Sequence, residues 1–116
     1  MLLVVFNAEY KTVGCFRDNP RVRAILPLEG KRPVLDGPYK SRESAIAKCA
    51  VAAMSMKYKM FALQNGGWCA SGPFAPRRFA MYGKSTACRD DGEGGLLANQ
   101  IYVLKGKMAG YLTCCT

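Results

Sequence analysis

The sequence contains no histidine. That removes the commonest general base, the commonest metal ligand and the usual switch near neutral pH, so most hydrolase and zinc schemes fall. None of its 6 cysteines forms a Cys-x-x-Cys pair, whereas zinc ribbons and fingers need close ligand pairs. No run approaches the ~18 to 20 apolar residues that span a bilayer. No repeat and no low-complexity segment is present. Acidic residues are scarce: 8 Asp and Glu stand against 17 Lys and Arg, a net charge of +9. Such a field makes anionic surfaces the first partners to consider and is silent about fold. At 116 residues there is no room for a second core, which excludes a multi-domain enzyme. With 50% hydrophobic and 22% charged residues, a chain of this length can bury roughly two-thirds of its unfolded surface and should fold.

Cys15, Cys49, Cys69, Cys88, Cys114 and Cys115 form an even set, which reads as a disulfide framework made in an oxidising compartment. A nucleophilic thiolate at Cys49 or Cys69 would need a positioned base, and the lack of histidine weakens that reading. Residues 1–8, Met1 to Ala8, end an apolar stretch on a small residue. They read either as the remnant of a signal peptide lacking its basic region or as an N-terminal strand.

Glu9 to Phe16 alternates apolar and polar side chains, predicting a strand that Asp18-Asn19-Pro20 ends. From Arg21 to Tyr39, Pro27, Pro33, Pro38, Gly30 and Gly37 interrupt every period. That predicts a long, basic surface loop of the kind that carries binding groups. Ser41 is a candidate N-cap, and Ala45, Ile46, Cys49, Ala50, Ala53 and Met54 recur at helical spacing. The predicted helix has a narrow, alanine-rich face suited to close packing on a sheet. Tyr58 to Gln64 and Trp68 to Ala70 flank Asn65-Gly66-Gly67, a hairpin pattern. Pro73 to Tyr82 can hold one or two helical turns, Gly83 to Gly95 is loop, and Asn99 to Leu104 is the closing strand. Residues 105–116 read as a C-terminal tail bearing Cys114 and Cys115.

Gly83-Lys84-Ser85-Thr86 imitates the end of a phosphate-binding loop, but Arg78 occupies the position of the required first glycine, so nucleotide binding is not supported. Asp90, Asp91 and Glu93 among glycines offer hard oxygen ligands without the alternating spacing of a calcium loop. A tight turn is the preferred reading and a metal site the weak alternative. Arg21, Arg23, Lys31, Arg32 and Lys40 flank the Pro/Gly loop, and Arg77, Arg78, Lys84 and Arg89 follow the hairpin. These form either a solubilising surface or a patch for sulfated or carboxylated glycan, whose anions match arginine forks. Nucleic acid would use the same charges, but the oxidising compartment argues against it. Trp68, Tyr39, Phe74 and Tyr82 are candidate platforms for sugar faces, although a Trp beside a disulfide also reads as core.

The order Tyr10-Lys11-Thr12-Val13-Gly14-Cys15-Phe16-Arg17-Asp18, a helix bearing Cys49, Phe61-Ala62-Leu63-Gln64-Asn65-Gly66-Gly67-Trp68-Cys69, and Gly94-Gly95 before Asn99-Gln100-Ile101-Tyr102-Val103 resembles the WSC domain. It is most similar to the WSC-like modules of secreted invertebrate proteins, over residues 9–104. The resemblance implies an α+β, PAN/apple-like module: a small antiparallel sheet cradling one main helix, stapled by disulfides. It also implies a secreted, lectin-like protein that binds carbohydrate. Without histidine or a credible acid/base pair the chain is expected to be non-catalytic, and no cofactor is expected. WSC domains generally carry more cysteines, including a Cys-x-Cys-Gly that is Cys69-Ala70-Ser71-Gly72 here. No individual sugar contact is therefore carried over.

The expected bridges are Cys49 to Cys69 and Cys15 to Cys88, which leaves Cys114 and Cys115 available for an intermolecular bond. The residues expected to bind are Arg77, Arg78, Trp68, Tyr82, Lys84 and Arg32. The partner expected is an anionic or neutral glycan, or an extracellular protein. A rival reading makes the chain a self-associating or disulfide-linked subunit of an extracellular assembly.

Overall fold

The computed structural model describes residues 2–105 and 109–114, with 2–7 and 109–114 described as strands by their backbone pairing alone. Strands β2 (Tyr10–Arg17), β3 (Met60–Gln64), β4 (Trp68–Ser71) and β5 (Ala98–Leu104) form an antiparallel sheet in the order β2-β5-β3-β4. The main helix, α1 (Ala45–Ser55), packs on one face. A single turn, α2 (Ala75–Arg78), and residues Ala24 and Ile25 cover the other. The fold is α+β, as the resemblance implies, and no helix among the described residues is long and apolar enough to cross a membrane.

Because both faces of the sheet are covered, every residue of central β3 is buried, which explains its unbroken apolar run up to Gln64. On the helix side, Ala45, Cys49, Ala50, Ala52 and Ala53 meet Phe61, Leu63 and Tyr102. Small side chains bring the helix backbone close enough for Cys49 to bond Cys69 on β4. Ser41 is not the cap: it lies in a short 3-10 turn, Tyr39–Ser41, and Ser44 occupies the N-cap with a left-handed backbone. On the opposite face Phe16, Met60, Ala62, Ala70 and Ile101 form a second core, extended by an edge-to-face contact of Phe16 with Phe79 at 5.0 Å.

The segment from Arg21 to Tyr39, expected as a surface loop, is built into the domain instead. It contributes Ala24, Ile25, Leu28 and Leu35 to the two cores. The Leu28 N–H donates to the Cys69 carbonyl and the Ser71 N–H to the Leu26 carbonyl, at 2.9 and 3.0 Å. The edge of β4 is thereby covered, which protects an otherwise unpaired ladder. Gly67 in the hairpin turn lies against the Tyr39 carbonyl, where any Cβ would collide. The Gly/acid loop folds back on the same turn: Gly66 N–H donates to Glu93 O and Asn65 N–H to Gly95 O, each at 3.1 Å. Cys88 ties this loop to Cys15 on β2.

The expected C-terminal tail is also partly regular. Strand β6 (Ala109–Cys114) pairs antiparallel with β1 (Leu2–Asn7), placing Leu2 opposite Cys114. Lys105 N–H donates to Glu9 O at 2.9 Å, one step beyond the β2–β5 ladder, and β1 and β6 form a separate two-stranded sheet. Leu2 to Asn7 are in strand conformation as β1. Cys115 and the Cys114 side chain lie outside the described residues.

Candidate functional site

The face opposite α1 carries most of the residues singled out by sequence. Its framework starts at Asp18, which the sequence marks as the end of a strand and of the first block of the resemblance, without assigning it a role. The Asp18 carboxylate accepts from Ala24 N–H at 2.9 Å, Arg23 Nη1 at 2.8 Å and Gln64 Nε2 at 2.9 Å. Gln64 Nε2 also donates to Asn99 Oδ1 at 2.8 Å. This network pins residues Arg23 and Ala24 to the sheet. Burial pushes the Asp18 carboxyl up, but the N–H groups of Ala24 and Asn19 and the Arg23 and Gln64 side chains outweigh it and hold it below the ordinary aspartate value.

A carboxyl whose pKa is lower folded than unfolded stabilises the protein above its unfolded value, and that stability disappears as the pH falls through the folded value. Unfolding free energy measured in urea should therefore drop from about pH 4 downward. Asp18→Asn should flatten that part of the profile, and an unchanged acid limb in the variant would contradict this role.

Arg23 continues from the network over the indole of Trp68, with its guanidinium carbon 4.7 Å from the ring centre. One face of Trp68 is thus taken by a cation, and the ring packs against the second core. Arg78, at the end of α2, donates from Nε to Ala24 O at 3.1 Å and from Nη2 to Arg23 O at 2.9 Å. Tyr82 OH donates to Val22 O at 2.6 Å. Both side chains act first as clamps on the segment after Asp18.

Arg77 differs. It is exposed, with no side-chain hydrogen bond among the described residues. Lys84 is exposed where its backbone bridges Phe16 at the edge of β2. Arg32 lies elsewhere: its Nε donates to Ser55 Oγ at 2.9 Å, at the end of α1 in the helix layer. The structure therefore brings Arg77, Arg78, Trp68 and Tyr82 to one face and leaves Arg32 out.

Between the clamped segment and α2 runs an open cleft of about 290 Å³, lined by Arg23, Ile25, Leu26, Pro73, Phe74 and Arg78 among others. Leu26 and Phe74 are 68% and 62% exposed at its mouth. Phe74 is the free aromatic of this face, whereas Trp68 is half-buried. The sequence pointed to Phe74 as a platform but could not rank it above Trp68, because the Arg23 cover depends on a pairing of Asp18 with Gln64 that crosses 46 positions.

The acidic loop is a tight turn. Asp91 Oδ1 accepts from Glu93 N–H at 2.8 Å, and Tyr102 OH donates to Gly92 O at 2.6 Å. Burial first, then the neighbouring Tyr10, Asp91 and Glu93, push the Tyr102 hydroxyl up to about 12, so it remains a donor. Among the described residues no cluster of three or more Cys, Asp or Glu could hold a metal, so Asp90, Asp91 and Glu93 do not converge on one.

Comparison with family models, with curated proteins and with solved structures finds no match to this chain.

Proposed function

We propose that this protein is a secreted, non-catalytic binding module of WSC-like type that recognises carbohydrate, with an anionic glycan as its preferred partner. The observation that carries this reading is the face opposite α1. There an open cleft, an exposed Phe74 and an exposed Arg77 adjoin the anchored Arg23 and Arg78. Sugars are bound by flat apolar surfaces with a few placed polar groups, and arginine forks match carboxylate and sulfate. The two disulfides are compatible with an oxidising, extracellular setting, and the WSC-like resemblance supports the same reading.

Arg77→Glu tests it, since Arg77 is exposed while Arg78 is committed to holding the Arg23 and Ala24 carbonyls. The variant should elute from immobilised heparin at lower salt than the wild type, with folding stability changed by no more than about 0.5 kcal/mol. Equal retention of wild type and variant would remove Arg77 from the site.

A second reading, a subunit of an extracellular assembly, is favoured by the β1–β6 ribbon, a two-stranded sheet separate from the four-stranded one, in which Leu2 pairs with Cys114. Wild-type protein that ignores glycans but runs as reducible multimers in non-reducing electrophoresis would favour that reading instead.

A further inference from the structure

The two cleft arginines are each tied down by part of the guanidinium and open at the rest. Arg78 uses Nε and one Nη2 hydrogen on the carbonyls of Ala24 and Arg23. Its Nη1 has no partner among the described residues, so the terminal Nη1/Nη2 edge stays available. Arg23 is tied the other way round: Nη1 donates to Asp18 and Gln64. Its Nε and Nη2 make no hydrogen bond among the described residues. Both side chains line one cleft whose remaining walls include Ile25, Leu26, Pro73 and Phe74. Two preorganised forks beside an apolar slot suit a single planar anion joined to a small apolar group.

Resting on the glycan reading above, we propose that the cleft is a subsite for a sugar residue that carries both a carboxylate and an N-acyl group. The carboxylate takes the open guanidinium edges. The acyl methyl, an apolar group that a plain uronic acid lacks, enters between Leu26 and Phe74, and the flat ring of Phe74 meets the sugar face. A polysulfated chain makes poorer use of this geometry, because it offers many anions and little apolar surface. A peptide carboxy terminus has comparable groups, and one common way to hold an extended peptide is addition to a sheet edge. Here the edge of β4 is already occupied by Leu26 and Leu28.

The test is titration of the wild-type protein with the methyl glycoside of N-acetylneuraminic acid, followed by calorimetry and by amide chemical shifts. Methyl glucuronide, a carboxylate sugar without an acyl group, and N-acetylglucosamine, an acyl sugar without a carboxylate, are the controls, each carrying one of the two groups. The acidic N-acyl sugar should bind about tenfold or more tightly than either control, as expected for losing a charge-assisted pair or an apolar contact. Shifts should centre on Leu26, Phe74 and Arg78. Phe74→Ala, at an exposed position that leaves the fold intact, should weaken binding by roughly tenfold. Arg78→Lys, which keeps the charge but loses both the fork and the clamp on the Ala24 and Arg23 carbonyls, should do at least as much.

Equal affinity for the three sugars, or shifts centred elsewhere, would overturn the subsite. So would tighter binding of acetyl-Gly-Leu, which would assign the cleft to a peptide carboxy terminus. Retention on heparin that depends on Arg77, without binding of the acidic N-acyl sugar, would end this inference and leave the broader glycan reading standing. Failure of both would end both.

Discussion

Replacing Arg42 with alanine should lower folding stability by about 3 to 5 kcal/mol, the cost of breaking a buried ion pair from one side. The Arg42 side chain is 1% exposed and that of Glu29 is 23% exposed. Arg42 Nη1 and Nη2 reach the two Glu29 oxygens at 2.8 and 2.7 Å, and also donate to the carbonyls of Gly67 and Leu35 at 2.8 and 2.5 Å. Glu29 in turn accepts from the Cys69 N–H at 2.9 Å. One guanidinium therefore joins the long segment before α1 to the hairpin turn. Its removal strands a carboxylate and two carbonyls in a poorly solvated place.

Arg42→Lys should recover only part of the loss, because an ammonium cannot serve the two carboxylate oxygens as a planar fork does. The check is urea denaturation, with a lower midpoint and an unchanged slope. A loss below about 1 kcal/mol for the alanine variant would place this pair in the class of surface ion pairs and defeat the argument.

The disulfides give the second large effect. Cys49–Cys69 closes 20 positions and Cys15–Cys88 closes 73. Restricting the unfolded chain over loops of these lengths is worth about 3 and about 4 kcal/mol respectively. Cys15→Ala/Cys88→Ala should therefore cost more than Cys49→Ala/Cys69→Ala if chain entropy governs.

Burial pulls the other way. Cys49 and Cys69 are fully buried between α1 and the sheet, and Cys15 and Cys88 are half-buried. Packing lost in the core is thus added to the shorter loop. Denaturant midpoints of the two double variants decide which effect is larger. Removing both bridges should leave too little stability for a chain of this size, given the roughly 5 to 15 kcal/mol typical of folded domains. Native-like unfolding of the variant lacking all four bridged cysteines, at a midpoint close to wild type, would show that neither bridge matters.

Much of the architecture was legible because it is written locally. The hairpin at Asn65-Gly66-Gly67, the alternation of β2, the closing strand and the alanine stripe of α1 each depend on neighbours within a few positions. The two bridges, Cys49 to Cys69 and Cys15 to Cys88, join elements that the same patterns had already placed.

What only the tertiary structure decided is how the irregular segments are held, and with them the cleft. Prolines and glycines between Arg21 and Tyr39 announce an interruption of regular structure, and the same composition suits a free loop or a pinned one. The pins are Asp18 with Gln64, Glu29 with Arg42 and the Cys69 N–H, and Arg78 with the carbonyls of Arg23 and Ala24. Each joins a side chain to a group on another element, so none leaves a period in the sequence. For that reason composition alone grouped Arg32, Arg77 and Arg78 as equivalent cations. Packing made Arg32 a partner of the helix end, Arg78 a clamp on the Arg23 and Ala24 carbonyls, and Arg77 an exposed charge in the same turn as Phe74.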